Sequence, residues 1–287
     1  MKLVDTHAHL YWDSLKEDLD QVLQNAISAG VKTIFNVGVD VELSKEALRL
    51  ANSLSGEINI YSTIAIHPEE ATKYSEQGTV NSGQLGKDIE SLEEIYKQNP
   101  EKVIAVGECG LDWAVLNSDN FNPTKIPADT LKDLQKQLFQ TQINLAKKLD
   151  LPIIIHCRDD RSKNPENIEC WTDTLEMVKG WKGILHCYSG LSPITHNLPP
   201  NFLVSFAGNL TYPKNDYLRE AVKFLPLEKI VLETDCPFLP PQSIRGKRNE
   251  PSSVKEIAQL IAELKGVTLK DVAEITTDNV NKMFRLT

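Results

Sequence analysis

The sequence predicts a TIM-like (β/α)8 barrel with an additional C-terminal helix. Short runs rich in Val, Ile and Leu, bounded by Gly, Pro, Asn or Asp, alternate with stretches of helical periodicity. This alternation occurs eight times, whereas an open doubly wound sheet usually has fewer strands. The length of 287 residues also suits a barrel, because such barrels run to roughly 250 residues as one unit. We therefore expect one domain that spans residues 1–287.

The elements follow one another in a regular order. The predicted strands are residues 3–6, 33–37, 58–66, 103–107, 152–155, 183–185, 202–206 and 229–232. The predicted helices are residues 14–29, 42–54, 88–97, 131–149, 253–264 and 269–284. In the first helix an apolar stripe includes Leu19 and Leu23, and Gly30 can end the helix. The last helix follows the eighth βα unit and is expected to pack outside the barrel.

Two turn-rich segments are longer than average connections. Residues 76–86 and 113–128 follow the third and fourth predicted strands. Loops that follow the strands of a barrel lie on the face that carries the active site. We expect both segments to be surface loops over that face, and the sequence assigns no role to the second one.

Composition limits the class of protein. Hydrophobic residues make up 41% and charged residues 25%, which is typical of a globular chain, and no apolar run approaches the roughly 20 residues of a membrane helix. The five cysteines are scattered, which fits reduced thiols, so a soluble cytoplasmic protein with no membrane partner is expected. The net charge of -9 argues against a generic basic nucleic-acid binder. It does not argue against a nuclease whose positive charge is local or carried by metal.

Metal-ligand residue types are concentrated at the ends of the predicted strands. These residues are His7, His9, His67, Glu108, His156, His186 and Asp235. The carboxyl ends of parallel barrel strands converge on one mouth, so these side chains should meet. His7 and His9 are two residues apart and point the same way on an extended backbone. Imidazole and carboxylate ligands suit Zn²⁺, Mn²⁺, Fe²⁺ or Co²⁺.

The number of ligands favours two metal ions. Four histidines and two carboxylates exceed the needs of one tetrahedral site, and Glu108 is the best candidate for a bridge between two ions. Each residue alone has another interpretation. His156 or His186 could be a hydrogen-bonded core histidine, Asp235 a helix N-cap and Glu108 a solvated acid of a turn. Their joint placement favours metal binding, whereas His196 lies off any strand end and receives no function.

Six motifs, followed by a basic segment, resemble the TatD-type metal-dependent deoxyribonucleases of the amidohydrolase superfamily. They are DTHAHL at 5–10, IHP at 66–68, GECGLD at 107–112, IIHCRD at 154–159, HCYSG at 186–190, ETDCPFL at 233–239 and RGKRNEP at 245–251. They occur in the order of that family and cover nearly the whole chain. Two positions depart from it, because Glu69 stands where the family usually has His and Trp113 where it commonly has Tyr or Phe.

The resemblance implies a site with two divalent cations, which could be Mg, Mn, Zn, Co or Fe. One cation would be held by His7, His9, Glu108 and Asp235, and the other by Glu108, His156 and His186. Asp235 would also orient or deprotonate the attacking water and is therefore the predicted catalytic residue. His67 would face the substrate phosphate instead of a metal.

Basic residues near these motifs are the predicted substrate contacts. Arg158 follows His156, and the loop after the eighth strand, where barrels frequently bind phosphate, carries Arg245, Lys247 and Arg248. Glu250 is expected to hold this loop by pairing with one of these bases. Three aromatic residues beside the motifs could either stack bases or pack the loops: Trp113, Tyr188 and Phe238.

The predicted function is hydrolysis of phosphodiester bonds, as a DNA exonuclease with a water activated by two metals. Two divalent ions would neutralise the phosphoryl oxygens and lower the pKa of that water. RNA stays open as a further substrate, and the oligomeric state also stays open. The alternatives are cleavage of an amide, a lactone or an ester, and deacylation of aminoacyl-tRNA. A non-catalytic binding barrel is disfavoured because the expected metal and base positions are intact.

Overall fold

The computed structural model describes residues 1–54, 56–76, 79–123 and 125–286. The strands of that part of the chain are β1 (Leu3–Ala8), β2 (Val31–Asn36), β3 (Asn59–Ile64), β4 (Ser75–Glu76), β5 (Thr79–Val80), β6 (Val103–Asp112), β7 (Ile153–Arg158), β8 (Gly183–Leu185), β9 (Phe202–Phe206) and β10 (Ile230–Leu232). The α-helices are α1 (Asp13–Lys16), α2 (Leu19–Ala29), α3 (Val41–Ser53), α4 (Ser82–Gln98), α5 (Ala128–Leu149), α6 (Glu169–Met177), α7 (Ser192–Thr195), α8 (Asp216–Phe224), α9 (Val254–Lys265) and α10 (Leu269–Phe284). Short 3-10 helices cover Pro68–Tyr74, Gly208–Thr211, Leu227–Lys229, Gln242–Ile244 and Pro251–Ser253.

Eight of the described strands form one parallel sheet that curls into a barrel. Their order is β1-β2-β3-β6-β7-β8-β9-β10, while β4 and β5 form a separate antiparallel pair. The barrel closes where β1 meets the segment after β10. The backbone amide of Asp235 donates to the carbonyl of His7, and the amide of His9 donates to the carbonyl of Cys236, both at 2.8 Å. The predicted TIM-like barrel is confirmed.

The strands that carry site residues are longer than predicted. β1 continues to Ala8, β6 to Asp112 and β7 to Arg158. His7, Glu108 and His156 therefore lie within strands, and the ladder hydrogen bonds of the sheet set their backbone positions. Side chains at such positions are held more precisely than side chains on loops.

Several helices differ from the sequence prediction. The predicted helix 14–29 is divided into α1 and α2, and α6 and α8, which have nine residues each, were not predicted. The prediction of a loop at 76–86 is wrong from residue 82 onward, because Asn81 caps α4 by accepting a hydrogen bond from the Gln84 amide at 3.1 Å. Residues 77 and 78 of that loop, and residue 124 of the second one, lie outside the described residues. The rest of 113–127 is irregular, but Trp113, Val115 and Leu116 are buried in it.

The C-terminal helix packs outside the barrel, and its last turns also cover the lower end of the barrel. Val280 and Phe284 of α10 join one apolar cluster with a residue from each of seven barrel strands: Val4, Phe35, Ile104, Ile154, Ile184, Leu203 and Val231. The rings of Phe35 and Phe284 meet edge to face with centroids 4.8 Å apart. The predicted position of this helix is therefore confirmed, and the structure adds that its last turns cover the apolar side chains of the lower layer of the barrel. This closed lower end leaves the opposite mouth for polar side chains.

Within the described residues, no helix is both long and apolar enough to cross a membrane.

Candidate metal centre

Two glycines of β6 allow Glu108 to lie close to the neighbouring strand. Gly107 has a φ of 156°, and a Cβ there would lie 2.5 Å from the carbonyl oxygen of Ile154 on β7. Gly110 has a φ of 147°, and a Cβ there would collide with the carbonyl oxygen of His156. Only glycine adopts such angles without strain. The GECG sequence thus brings the Glu108 carboxylate next to β7.

Glu108 lies at the centre of the histidine cluster, with one oxygen facing one group of rings. Its Oε1 lies 2.7 Å from Nδ1 of His156, 2.7 Å from Nε2 of His186 and 3.3 Å from Nε2 of His67. His156 and His186 are themselves 3.4 Å apart through these nitrogens. His67 follows β3, His156 lies within β7, and His186 follows β8. Sequence separation therefore does not prevent them from sharing one carboxylate oxygen.

The second oxygen of Glu108 faces the two histidines of the first strand. Oε2 lies 3.2 Å from Nε2 of His7 and 3.9 Å from Nε2 of His9. Oδ1 of Asp235 lies on the same side, 3.8 Å from Nε2 of His7 and 3.5 Å from Nε2 of His9. All six predicted ligands therefore lie at one mouth of the barrel, divided into two groups by Glu108.

The residues fit divalent cations. Three groups of described residues have ligand atoms within 4.8 Å of one another: His7, His9 and Glu108; His67, Glu108 and His156; and His7, His186 and Asp235. His7, His9, Glu108 and His186 are buried and His67, His156 and Asp235 are partly buried, and imidazole and carboxylate ligands suit Zn²⁺, Mn²⁺ or Fe²⁺. The Nδ1 atom of His7 is also buried without a hydrogen-bond partner among the described residues, and the Nδ1 atom of His186 lies 3.4 Å from Oε1 of Glu233. The proximity of His67 makes it a further potential ligand, in addition to its predicted role toward phosphate.

The electrostatics of the centre match a site for positive charge. Burial alone would raise the pKa of Glu108, but His186, His67 and His7 hold it well below its ordinary value. Burial would lower the pKa of His156, whereas its hydrogen bonds to Asp112 and Glu108 raise that pKa to about 9. Burial would likewise lower the pKa of His186, but Glu108 and Glu233 raise it well above its ordinary value. Without a metal, protons therefore supply positive charge around Glu108.

Metal binding is expected to release protons and to strengthen with rising pH. The protonated ring of His156, with its pKa raised to about 9, must lose its proton before its nitrogen can bind a cation. This raised pKa stabilises the metal-free fold fully below the ordinary histidine pKa of 6.5, and the stabilisation is lost as the pH rises through about 9. The apparent dissociation constant for Mn²⁺ should thus fall by up to about tenfold per pH unit for each released proton. Calorimetry in buffers of different ionisation enthalpy counts the protons, and a binding heat that is independent of the buffer would contradict this expectation.

Hydrogen bonds across the barrel seam fix the position of Asp235. The buried carboxylate of Asp5 accepts from the backbone amide of Thr234 at 2.9 Å and from its hydroxyl at 2.6 Å. Asp235 itself has a φ of 58°, in the left-handed region that Asp tolerates better than most side chains. Burial would raise the pKa of Asp235, but a hydrogen bond from His9 and the nearby His7 and His186 keep it below its ordinary value. The carboxylate is therefore ionised at neutral pH and can accept a proton.

Asp112 is a site residue to which the sequence assigned no role. It is fully buried at the end of β6, and its Oδ2 lies 2.8 Å from Nε2 of His156 and 2.7 Å from a terminal nitrogen of Arg158. Its Oδ1 accepts from Nε of Arg158 at 3.0 Å. One carboxylate thus orients both a predicted ligand and a predicted phosphate contact. The available signal was its spacing, since residues 108, 110 and 112 share one face of a strand.

Replacing Asp112 by Asn should lower metal affinity or kcat/KM by about 10- to 100-fold. A neutral amide cannot hold both the His156 ring and the Arg158 fork as a carboxylate does, and changes at such supporting positions have effects of this size. Titration with Mn²⁺ and steady-state kinetics measure the two effects. Asp159→Asn is the matched control, because Asp159 is also buried and paired with an arginine, Arg161. Equal losses in the two variants would show a general effect of folding.

The basic loop after β10 does not present all its cations in the same way. The Arg248 guanidinium forms two hydrogen bonds to the carboxylate of Asp18, at 2.7 and 2.9 Å, and one to Glu250 at 2.6 Å. The predicted pairing of Glu250 with a base of this loop is confirmed, and Arg248 ties the loop to the start of α2. Arg245 lies over the ring of Tyr212, 4.0 Å from its centroid, and Lys247 is exposed. A substrate contact from Arg248 stays a prediction, but its guanidinium already has two acidic partners.

Comparison with known proteins gives the family. The family model described as TatD related DNase matches residues 4–285. The chain belongs to this TatD family. The metal-dependent hydrolase YabD of Bacillus subtilis is 36% identical over 285 residues, which are 99% of each chain, and the 3'-5' ssDNA/RNA exonuclease TatD of Salmonella typhimurium is 28% identical over 290 residues, again 99% of each. The crystal structure of YjjV, a TatD homolog from Escherichia coli, has a TM-score of 0.81 at 26% identity and covers 99% of this chain and 98% of that one.

The resemblance noted from the motifs is therefore confirmed, and the chain is a metal-dependent hydrolase of the TatD family. One departure from the motifs, Glu69, lies beside the centre. Its Oε1 lies 3.7 Å from a terminal nitrogen of Arg158, and its Oε2 lies 3.8 Å from Nδ1 of His67. Burial raises the pKa of Glu69. This TatD protein thus has a carboxyl group next to two residues that were predicted to face phosphate.

The aromatic residues beside the TatD motifs divide into two kinds. Trp113 is 4% exposed and lies under Lys132, whose Nζ is 4.0 Å from the centre of the ring system. Tyr188 is fully buried, and its hydroxyl forms a hydrogen bond with the hydroxyl of Thr195 at 2.9 Å. These two residues pack the structure, whereas Phe238 is 44% exposed. His196, which received no function, lies apart from the centre and contacts Phe224.

Proposed function

We propose that the chain hydrolyses phosphodiester bonds at the ends of DNA, with a water activated by two divalent cations. The observation that carries this proposal is the position of Glu108, whose Oε1 faces His67, His156 and His186 while its Oε2 faces His7 and His9. A pair of cations bridged by a carboxylate is the arrangement used by many enzymes for displacement at phosphorus. The Salmonella relative, a 3'-5' ssDNA/RNA exonuclease, supports the same substrate class. The five free cysteines fit a reducing compartment, and we place the activity in the cytoplasm.

The side chains of the centre have three roles in this proposal, which are metal binding, proton acceptance and contact with the phosphate. His7, His9, Glu108 and Asp235 would hold one cation, and Glu108, His156 and His186 the other. When bound, the cations supply the positive charge that neutralises the phosphoryl oxygens and lowers the pKa of a water. Asp235, which is ionised because its pKa lies below the ordinary value, would accept the proton of the attacking water. Arg158, aligned by Asp112, directs its remaining N–H groups toward a phosphate oxygen.

End-labelled single-stranded DNA tests the proposal. The protein loaded with Mn²⁺, Mg²⁺ or Zn²⁺ should shorten the oligonucleotide from one end, and a chelator should abolish the reaction until metal is restored. Labels at the 3′ and 5′ ends reveal the polarity, and an RNA of the same sequence shows whether the sugar matters. A variant with His196→Gln, a histidine outside the centre, is the matched control and should keep full activity. Intact DNA and RNA with every metal would contradict the proposal.

A neutral carbonyl substrate is the second candidate, and Glu69 is the observation that favours it. A carboxyl group 3.7 Å from Arg158 competes with a phosphate for the guanidinium, while an amide, a lactone or an ester would not be repelled. Aminoacyl-tRNA deacylation belongs to the same class of acyl chemistry. Parallel assays with a phosphodiester, an amide, a lactone and an aminoacyl ester separate these candidates by kcat/KM.

Replacing both Arg245 and Lys247 by Gln should weaken DNA binding and reduce its dependence on salt. Neither side chain forms an ion pair with a described residue, so both are available for phosphate. The slope of log affinity against log salt should become shallower by about 0.7 for each lost contact with a single strand. Fluorescence anisotropy at several NaCl concentrations measures the slope. Arg248→Gln is the comparison, and a larger change in slope there would contradict the assignment.

A further inference from the structure

We propose that Trp12 and Phe238 form an aromatic platform that stacks the nucleobase next to the scissile phosphodiester. The inference rests on the proposed function and adds a binding subsite to it. The platform consists of these two side chains on the rim of the mouth, where β1 and β10 end. Its ligand is the planar face of a base, so it would accept every base and would not read sequence.

The two rings are exposed although they are large and apolar. Trp12 is 43% exposed and Phe238 is 44% exposed, and their rings meet edge to face with centroids 5.6 Å apart. Exposed large apolar groups that lie together are informative, because their burial against a partner is favourable. Because the two rings stand at 82° to each other, a flat base would stack on the face of one ring and contact the other ring with its edge, which would remove apolar surface from water.

The platform lies next to the predicted metal ligands. The centroid of the Phe238 ring is 6.0 Å from that of His9. The backbone amide of Phe238 donates to the carbonyl of Asp235 at 2.9 Å, and the amide of Trp12 donates to the carbonyl of His9 at 3.2 Å. Each aromatic residue therefore follows a ligand by three residues in a tight turn. A base that stacks on these rings would therefore place its phosphodiester close to the predicted metal ligands.

Hydrogen bonds hold the platform in place before substrate arrives. The buried side chain of Asn249 donates to the carbonyl of Phe238 at 2.7 Å and to the carbonyl of Thr234 at 2.9 Å. On the other side, the Tyr11 ring lies at 26° to that of Trp12, and the Tyr11 hydroxyl donates to the carbonyl of Val37 at 2.8 Å. A surface that is already ordered loses little entropy when a ligand binds.

The opposite side of the mouth has the complementary chemistry. Arg158 and His67 lie on the side of β3 and β7, whereas the platform lies on the side of β1 and β10. The mouth thus has the Arg158 guanidinium on one side and the two aromatic rings on the other, with the Glu108 carboxylate between them. A nucleotide has the same two halves, since its phosphate is anionic and its base is flat and apolar. A small amide or lactone has no part that needs both sides.

An abasic substrate tests the platform. Two single-stranded oligonucleotides are compared, one complete and one that lacks only the base of the terminal nucleotide at the attacked end. The native protein should cleave the complete strand with a kcat/KM at least about tenfold higher than that for the abasic strand, because loss of the stacking between one base and an aromatic side chain has an effect of this order. In Trp12→Ala and Phe238→Ala this preference should fall toward one. Phe238→Tyr keeps a planar ring and should restore it.

Phe224→Ala is the matched control, because Phe224 is 56% exposed on α8 and contacts only His196 among the described aromatic rings. It should keep the full preference. An equal kcat/KM of the native protein on both strands would overturn the platform and leave the proposed function intact. A preference that persists in both alanine variants would also overturn it. Failure of the native protein to cleave either strand would contradict the proposed function, and the platform with it.

Discussion

Replacing Glu108 by Gln should lower kcat/KM for DNA hydrolysis by at least about 1,000-fold, which corresponds to about 4 kcal/mol in the activation barrier. Each carboxylate oxygen faces a different group of histidines, His156 and His186 on one side and His7 on the other. Glutamine has the same shape but only one acceptor oxygen, and its NH₂ group would be directed at one of these groups. One of the two cations would therefore lose an anionic ligand.

Metal content and activity should change together in this variant. Mass spectrometry of the metals should give about one ion fewer per chain than in the native protein, and single-turnover kinetics should show the loss in the chemical step. Glu93→Gln is the matched control, because Glu93 is largely buried in α4 but pairs with Lys97 and Lys148 away from the mouth. Activity within tenfold of native in Glu108→Gln would refute a bridging role.

Replacing Asp235 by Asn should lower kcat by about 100- to 10,000-fold while the protein keeps its metal. This range is the usual contribution of a positioned general base. The amide keeps an oxygen near Nε2 of His9, where Oδ1 lies 3.5 Å away in the native protein, but it cannot take up a proton from water. Loss of turnover without loss of metal separates the role of Asp235 as a base from its role as a ligand.

The pH dependence of kcat gives a second measure of Asp235. The pKa of Asp235 lies below its ordinary value, so the carboxylate is ionised at neutral pH. Activity should decline when the pH falls to this lowered pKa, because the carboxyl group is then protonated. This acidic limb should be absent from the residual activity of the Asn variant. Asp271→Asn, at the N-terminus of α10, controls for the effect of the substitution on folding. Full activity in Asp235→Asn would remove Asp235 from the mechanism.

The sequence alone predicted the barrel and the set of ligands. Short continuous apolar runs and stretches of helical periodicity are local patterns, which are visible along the chain. The convergence of His7, Glu108, His156, His186 and Asp235 followed from one rule, because parallel barrel strands end at the same mouth. The helices α6 and α8 were missed because each has only nine residues, and α4 was shortened because Gly83 and Gly86 are typical of turns.

Only the tertiary structure decided which polar and aromatic side chains act together. Asp112 and Arg158 are 46 residues apart, and Arg248 and Asp18 are 230 residues apart, yet each pair shares hydrogen bonds. Trp12 and Phe238 also come from opposite ends of the chain. Contacts of this kind depend on side-chain direction and on the closure of the barrel between β1 and β10, and neither has a local pattern. The sequence by itself determined which residues reach the mouth, and the closed barrel determined their partners there.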